Sequence, residues 1–139
     1  MRELPRQLSG DELAELFSGR TRLVDELAGR ERPLDVAEQV ALALAEEDQI
    51  AALAAHPRIG EPSQEQRGAE PEVLAELAQL NEAYERRFGF SFVVFVDGRT
   101  RAELVPVLRE RLARTREEEL DAGLRALCEI ARNRWTRTT

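Results

Sequence analysis

Lysine is absent from this sequence, so all 20 basic side chains are arginines. Without a lysine amine the chain cannot form a Schiff base, which excludes pyridoxal phosphate bound in that way. Histidine and cysteine occur once each. Because the usual zinc sites draw three or four ligands from these residue types, they are excluded as well. Any catalysis must therefore depend on His56, carboxylates, arginines and backbone dipoles.

The sequence also lacks an excess of positive charge and any long apolar run. The formal net charge is -7, whereas a protein that binds nucleic acid through phosphates needs a basic surface. No apolar stretch approaches the roughly 20 residues of a membrane span, and the first residues lack the apolar core of a signal peptide. We therefore expect a soluble, cytoplasmic protein that binds neither nucleic acid nor membrane. The lone Cys128 is expected to pack in the core.

What the chain does contain favours helices. Hydrophobic residues make up 42% of the sequence, aromatic residues only 5% and charged residues 34%. This mixture is typical of packed amphipathic helices. The length of 139 residues fits one domain. The predicted fold is all-α: a single-domain bundle over residues 1–139 with about seven to nine short and medium helices.

Local signals place most of these helices. Three capping boxes, in which Ser or Thr precedes Glu by three residues, predict helix starts at Ser9, Thr100 and Thr115. Pro71 and Gly89 bracket the strongest amphipathic pattern, which predicts a long helix between them. Shorter helical patterns cover residues 23–28, 35–45 and 49–55.

Two features interrupt the helical pattern. Pro106 predicts a kink or a late start in the helix that follows Thr100. The run "FSFVVFV", residues 90–96, is rich in β-branched and aromatic residues, so composition alone predicts a buried strand there. No other segment offers a partner strand. Its phenylalanines are expected in the core.

The only histidine lies at a predicted helix end. Pro57 disfavours helical backbone at the residue before it, which places His56 at a helix C-terminus, where the dipole favours imidazolium. Glu65 is the nearest carboxylate whose segment can fold back on the ring, and such a pair suffices as general acid and base. Alternatively, Ser63 caps a short helix whose solvated first turn contains Glu65 and Gln66. The residues alone leave both interpretations open.

Three arginines are candidates for holding an anionic substrate, because a guanidinium binds a carboxylate through two parallel hydrogen bonds. They are Arg58, Arg99 and Arg134. For most arginines of this chain, a solvated helix face is the simpler explanation. Arg134 differs because it lies on the apolar side of the last predicted helix.

Four stretches together resemble one known family. They are "HPRIG" at 56–60, "EQ" at 65–66, "LNEAYERRFGFSF" at 80–92 and "EIARNRW" at 129–135. In this combination and order they resemble 2-oxo-4-hydroxy-4-carboxy-5-ureidoimidazoline (OHCU) decarboxylase, an enzyme of the route from urate to allantoin. The resemblance implies an all-helical homodimer that forms (S)-allantoin from its small-molecule substrate without metal or organic cofactor. It also implies that "FSFVVFV" is not a strand.

The resemblance also implies roles for particular residues. His56 corresponds to the catalytic histidine and Glu65 to its glutamate partner. Substrate binding falls on Pro57, Ser63, Gln66, Arg134 and the backbone of Phe92, Val93, Val94, Phe95 and Val96. We hypothesise that Arg134, Gln66 and backbone N–H groups orient the substrate, while His56, assisted by Glu65, moves the proton.

Some positions depart from the family pattern. Ser63 precedes Glu65 by two residues rather than three, and Ser91 and Asp97 stand where many members have proline and arginine. These departures keep two alternatives open. One is a catalytically altered binding module of the same fold, and the other is a decarboxylase of a related ureido or imidazolone acid.

Overall fold

The computed structural model describes residues 3–57 and 70–137. Within those two ranges the chain forms seven α-helices and no strand, which confirms the predicted all-α class and the helix number. The helices are α1 (Gly10–Leu16), α2 (Arg22–Leu27), α3 (Pro33–Ala43), α4 (Glu46–Ala55), α5 (Pro71–Phe88), α6 (Arg101–Leu112) and α7 (Arg116–Arg137). No helix in this part of the chain is long and apolar enough to cross a membrane. The assignment of residues 1–139 to one domain stays a prediction.

All three predicted capping boxes form. The Ser9 hydroxyl accepts a hydrogen bond from the Glu12 backbone N–H at the start of α1 (3.1 Å), and the Glu12 carboxylate accepts one in return from the Ser9 N–H. Thr100 makes the same reciprocal pair at α6, and Thr115 makes it at α7. Each box satisfies backbone N–H groups that a helix start otherwise leaves unpaired. These starts are therefore set by local sequence.

The long helix α5 runs between the two residues predicted to bracket it. Pro71 occupies the first turn, and Gly89 ends the helix with a left-handed φ of 82°. Leu77, Tyr84 and Phe88 on its inner face are buried. Glycine adopts this left-handed conformation without the Cβ clash that other residues meet, so it terminates the helix at little cost.

Pro106 lies inside α6, and the predicted late start is wrong. The helix begins at Arg101, five residues earlier, and continues to Leu112. The proline lacks one backbone donor, but it lies near the N-terminal turn on an exposed face, where water can solvate the carbonyl left unpaired. The capping box at Thr100 therefore determines where the helix starts. A kink at Pro106 stays a prediction.

The segment 90–96 joins α5 to α6 as an extended, buried connection rather than a strand. The strand predicted from composition is wrong, and the implication of the family resemblance, that this segment is not a strand, is confirmed. Phe90, Phe92 and Val93 are almost fully buried and Phe95 is half-buried, while Val96 is 40% exposed. The Tyr84 ring packs on Phe92, with ring centroids 5.1 Å apart. The apolar side chains are accounted for by packing between helices, which requires no strand partner.

Helix α7 lies at the centre of the helix packing. It contacts α1, α3 and α4, while α5 packs on α6. At Gly123 a Cβ atom would lie 3.2 Å from the Leu53 Cδ2 atom of α4, so the missing side chain lets these two helices approach closely. Cys128 is fully buried in this core, as predicted, and burial raises the pKa of its thiol to about 12. The same packing brings the end of α4 towards α7.

Candidate functional site

His56 ends helix α4, as the adjacent proline predicts. Its backbone is extended (φ -80°, ψ 135°), and its N–H donates to the Leu53 carbonyl at 3.2 Å in a final turn. Pro57 follows it and is exposed. Proline disfavours helical backbone at the preceding residue, so the helix stops and the imidazole is presented at its C-terminus.

The environment of His56 favours the neutral imidazole. Burial and, to a smaller extent, the positive charge of Arg134 lower the pKa of His56 from 6.5 to about 4. The Nδ1 atom is buried and has no hydrogen-bond partner among residues 3–57 and 70–137. These two causes, burial and the charge of Arg134, outweigh the preference for imidazolium that was expected from the helix dipole. A helix dipole is a weak effect at a partly solvated end, whereas desolvation and a nearby cation both oppose the charged form.

Arg134 approaches from the last helix, α7. Its Nη1 donates to the Leu16 carbonyl at 2.9 Å and to the Ser18 hydroxyl at 2.7 Å. The side chain is partly buried, in agreement with its predicted position on the apolar side of α7. The charge of Arg134 contributes to the lowered pKa of His56, so the fold brings Arg134 within electrostatic range of a residue that is distant in sequence. A guanidinium beside a neutral imidazole is suited to bind an anion and to exchange a proton with it.

Several predicted site residues lie outside the described residues. They are Arg58, Ser63, Glu65 and Gln66. Their roles, including the proposed pairing of Glu65 with His56, stay predictions, and so does the alternative in which Ser63 caps a short helix.

In the predicted pocket-lining backbone, Phe92–Val96, three of the five carbonyl groups accept hydrogen bonds from arginine side chains. The Val93 carbonyl accepts from Arg111 Nη1 at 3.0 Å, and the carbonyls of Phe95 and Val96 accept from Arg99 at 2.7 and 3.0 Å. Arg99 therefore anchors this loop, and its predicted role in binding substrate stays a prediction. No backbone N–H of residues 92–96 donates to a carbonyl within the described ranges.

The structure does not directly join this loop to the His56 and Arg134 pair. Val94 and Phe95 line a surface cavity of about 300 Å³ together with Ala122 and Ala126 of α7. Arg134 lies about two helical turns beyond Ala126 on the same helix. A larger cavity of about 480 Å³ is lined by residues of α2, α3 and α4 and includes neither His56 nor Arg134. The chemistry of the chain points to His56, so cavity size does not identify the site.

Sequence reasoning missed a buried ionic cluster that supports the loop. Glu119 accepts from both Tyr84 Oη and Arg111 Nε at 2.7 Å, and the Arg111 guanidinium lies over the Phe92 ring at 4.6 Å. Burial and the Glu119 carboxylate raise the pKa of Tyr84, so its hydroxyl remains a donor. The signal in the sequence was a charged residue, Glu119, directly before the apolar stripe of α7, but its partners are distant in sequence.

Metal ligation has no obvious location in this part of the chain. Within residues 3–57 and 70–137, no group of three or more His, Cys, Asp or Glu side chains is placed to hold a metal ion. Among the described residues, the groups of this site that can act on a ligand are the His56 imidazole, the Arg134 guanidinium and the polar groups of the α1–α2 turn.

Taken together, the described residues define a helical protein that holds one neutral histidine beside an arginine, an arrangement suited to acid–base chemistry on an anion. The family model of OHCU decarboxylase matches residues 3–136. The chain therefore belongs to the OHCU decarboxylase family, which confirms the resemblance seen in its sequence.

Two characterised relatives take part in urate degradation. Over 100 residues the chain is 34% identical to the uric acid degradation bifunctional protein PucL of Bacillus subtilis, covering 63% of this chain and 20% of PucL. Over 38 residues it is 47% identical to the uric acid degradation bifunctional protein TTL of Arabidopsis thaliana, covering 27% of this chain and 12% of TTL. The chain thus matches a fifth or less of the length of each relative.

Solved structures share the fold. A crystal structure of OHCU decarboxylase in the presence of (S)-allantoin superposes with a TM-score of 0.78 at 24% identity, covering 91% of this chain and 96% of the other. A crystal structure of (S)-allantoin synthase gives a TM-score of 0.72 at 19% identity, covering 92% of this chain and 48% of the other. At these identities the likeness concerns the fold.

Proposed function

We propose that this chain decarboxylates OHCU to (S)-allantoin in urate degradation, as a carboxy-lyase. The observation that carries the proposal is the buried imidazole of His56, which lies within the electrostatic influence of the Arg134 guanidinium. Family membership supports the same reaction. The two relatives named for uric acid degradation support the pathway.

The substrate explains why so few reactive groups suffice. Its carboxylate is attached to a carbon next to a C=N bond, so the electron pair of the breaking C–C bond can move into the ring system as CO2 leaves. One proton is then added at the carbon that bears the ureido group, and this step sets the handedness of allantoin. One proton is consumed overall because the carboxylate departs as neutral CO2. The reaction needs a positioned anion and a directed proton.

The chain supplies both. Arg134 binds the anionic substrate, and Gln66 with the N–H groups of Phe92–Val96 completes its orientation. His56 moves the proton with the assistance of Glu65, while Pro57 and Ser63 contact the substrate. In the free protein His56 is neutral and ready to accept a proton. A bound carboxylate would offset the charge of Arg134 and raise the pKa of His56, so that the same imidazole can return a proton on one face.

The assembly and location of the protein belong to the same proposal. We propose a homodimer in the cytoplasm whose ligand is a small molecule, with neither nucleic acid nor membrane as a partner. The net charge of -7 supports the exclusion of nucleic acid.

An enantiomer-resolved assay tests the proposed reaction. The substrate is generated in situ from urate with uricase and hydroxyisourate hydrolase, this protein is added, and circular dichroism is followed over time. We expect rapid appearance of one allantoin enantiomer with the wild-type protein and loss of the acceleration in His56→Ala. Slow racemic product with the folded wild-type protein would overturn the proposal and favour the binding-module alternative.

The same assay, extended to other substrates, addresses the second alternative. We expect this substrate to be turned over faster than related ureido or imidazolone acids measured by CO2 release. A higher kcat/KM on another such acid would assign the chain to that substrate instead.

A further inference from the structure

The turn between α1 and α2 contacts both sides of the proposed site. It follows α1 at Phe17 and contains Ser18 and Gly19. Ser18 has a left-handed φ of 65°, which is uncommon for a residue other than glycine. Residues in this conformation persist when the surrounding structure holds them there, and they cluster where a side chain has a specific task.

The task visible for Ser18 is a contact with Arg134. The Ser18 hydroxyl accepts a hydrogen bond from Arg134 Nη1 at 2.7 Å, and the Leu16 carbonyl accepts one from the same nitrogen at 2.9 Å. An Nη nitrogen carries two hydrogens, so these acceptors use both and fix the direction of that arm of the guanidinium. At this left-handed turn, the Ser18 hydroxyl and the Leu16 carbonyl both accept from the same Arg134 nitrogen.

The next residue of the turn packs against the end of α4. A Cβ atom on Gly19 would lie 3.3 Å from the Ala55 Cβ atom, and Ala55 directly precedes His56. The Gly19 N–H donates to the Ala14 carbonyl at 2.8 Å, which ties the turn to α1. One short turn therefore contacts the helix end that presents His56 and also holds Arg134.

We propose that Ser18 is a positioning residue for the decarboxylation, which holds the Arg134 guanidinium at a fixed place relative to His56. This inference rests on the proposed function and deepens it, because it says how a substrate-binding arginine on α7 is aligned with a histidine on α4.

Replacement of Ser18 separates positioning from stability. Ser18→Gly removes the hydroxyl but suits the left-handed backbone, so we expect a melting temperature equal to or above that of the wild type. We also expect KM to rise about tenfold with a smaller change in kcat, because a hydrogen bond to a charged group is lost. Ser18→Asn keeps an acceptor and tolerates this backbone, so it should restore most of the wild-type KM.

A second readout does not depend on activity. The chain has one histidine, so its two imidazole C–H signals can be assigned in proton NMR without ambiguity and followed during a pH titration. Arg134 is the charged group that lowers the pKa of His56 from within the described residues. In Ser18→Gly the looser guanidinium should let the pKa of His56 rise, yet it should stay below 6.5 because burial, the larger cause, remains. Arg32→Gly is the matched control, since Arg32 also has a left-handed φ, of 52°.

The outcomes distinguish the two proposals. If the wild-type protein is inactive but Ser18→Gly still raises the pKa of His56, the proposed function fails. The inference that Ser18 holds Arg134 at a fixed place relative to His56 then stands. If the wild type is active and Ser18→Gly changes neither KM nor this pKa, the positioning role fails. Unfolding of Ser18→Gly would also overturn it, since Ser18 would then serve stability.

Discussion

Two polar clusters lie within this helical protein, and they differ in the kinds of side chain that they combine. In the first, Glu119 accepts from Tyr84 and Arg111, and Arg114 Nη1 lies 3.2 Å from its second oxygen, so buried charges of opposite sign meet. In the second, Arg134 lies beside a neutral His56. The first cluster joins a carboxylate to two guanidinium groups and supports a loop through the Val93 carbonyl. The second combines a positive charge with a group that exchanges protons, which suits an anionic substrate.

The largest effect on stability should come from breaking the first cluster. Glu119→Ala would leave Arg111 buried without its carboxylate, and we expect the free energy of unfolding to fall by about 3–5 kcal/mol. Urea unfolding followed by circular dichroism measures this. Glu117→Ala is the control on the same turn, because Glu117 is exposed. A loss below about 1 kcal/mol for Glu119→Ala would contradict the structural role of the cluster.

The largest effect on activity should come from the second cluster. We expect Arg134→Met to lower kcat/KM by about a hundredfold, since charged hydrogen bonds to the substrate are lost. Arg132→Met is the matched control on α7, because Arg132 is also partly buried and its ion pair, with Glu38 at 2.8 Å, is known. Equal losses of activity in the two variants would show that Arg134 has no special role.

The pH dependence of stability should reveal the buried His56 of the second cluster. The pKa of His56 is about 4 in the folded chain and 6.5 when unperturbed. As the pH falls below 6.5, the unfolded chain binds a proton that the folded chain does not, so stability decreases until about pH 4. The loss should reach about 2–3 kcal/mol. Unfolding of the wild type and His56→Gln between pH 7 and 4 measures it, and parallel curves for the two proteins would contradict it.

The smallest effect should come from trimming the first cluster without breaking its ion pair. Tyr84→Phe removes one hydroxyl from Glu119 while Arg111 remains bound, so we expect a loss of about 1–2 kcal/mol. Thermal unfolding of Tyr84→Phe beside Glu119→Ala ranks the two contributions. A larger loss in Tyr84→Phe than in Glu119→Ala would mean that the hydroxyl, rather than the ion pair, stabilises the cluster.

The parts of the fold that local side chains determine could be predicted from the sequence. Helix starts at Ser9, Thr100 and Thr115 are set by side chains three residues away, so local patterns predict them. The end of α4 at His56 follows from Pro57 in the same way. The conformation of residues 90–96 is set instead by Arg111 and Arg99, and no local pattern contains Arg111.

The site shows the same division between local and distant causes. The position of His56 could be predicted, but the direction of its pKa shift could not, since burial depends on how distant helices pack. The contact between Ser18 and Arg134 joins residues 116 positions apart. Only the family resemblance linked Arg134 to His56 in advance, because a single amphipathic helix does not indicate which distant group it faces.

The most direct test of the account is a titration of the single imidazole in the wild-type protein and in Arg134→Met. We predict a pKa of about 4 for His56 in the wild type. For Arg134→Met we predict a higher value that still lies below 6.5, because the cation is removed while burial remains. A wild-type value at or above 6.5, unchanged by loss of Arg134, would contradict the claim that this chain holds a neutral histidine beside a substrate-binding arginine.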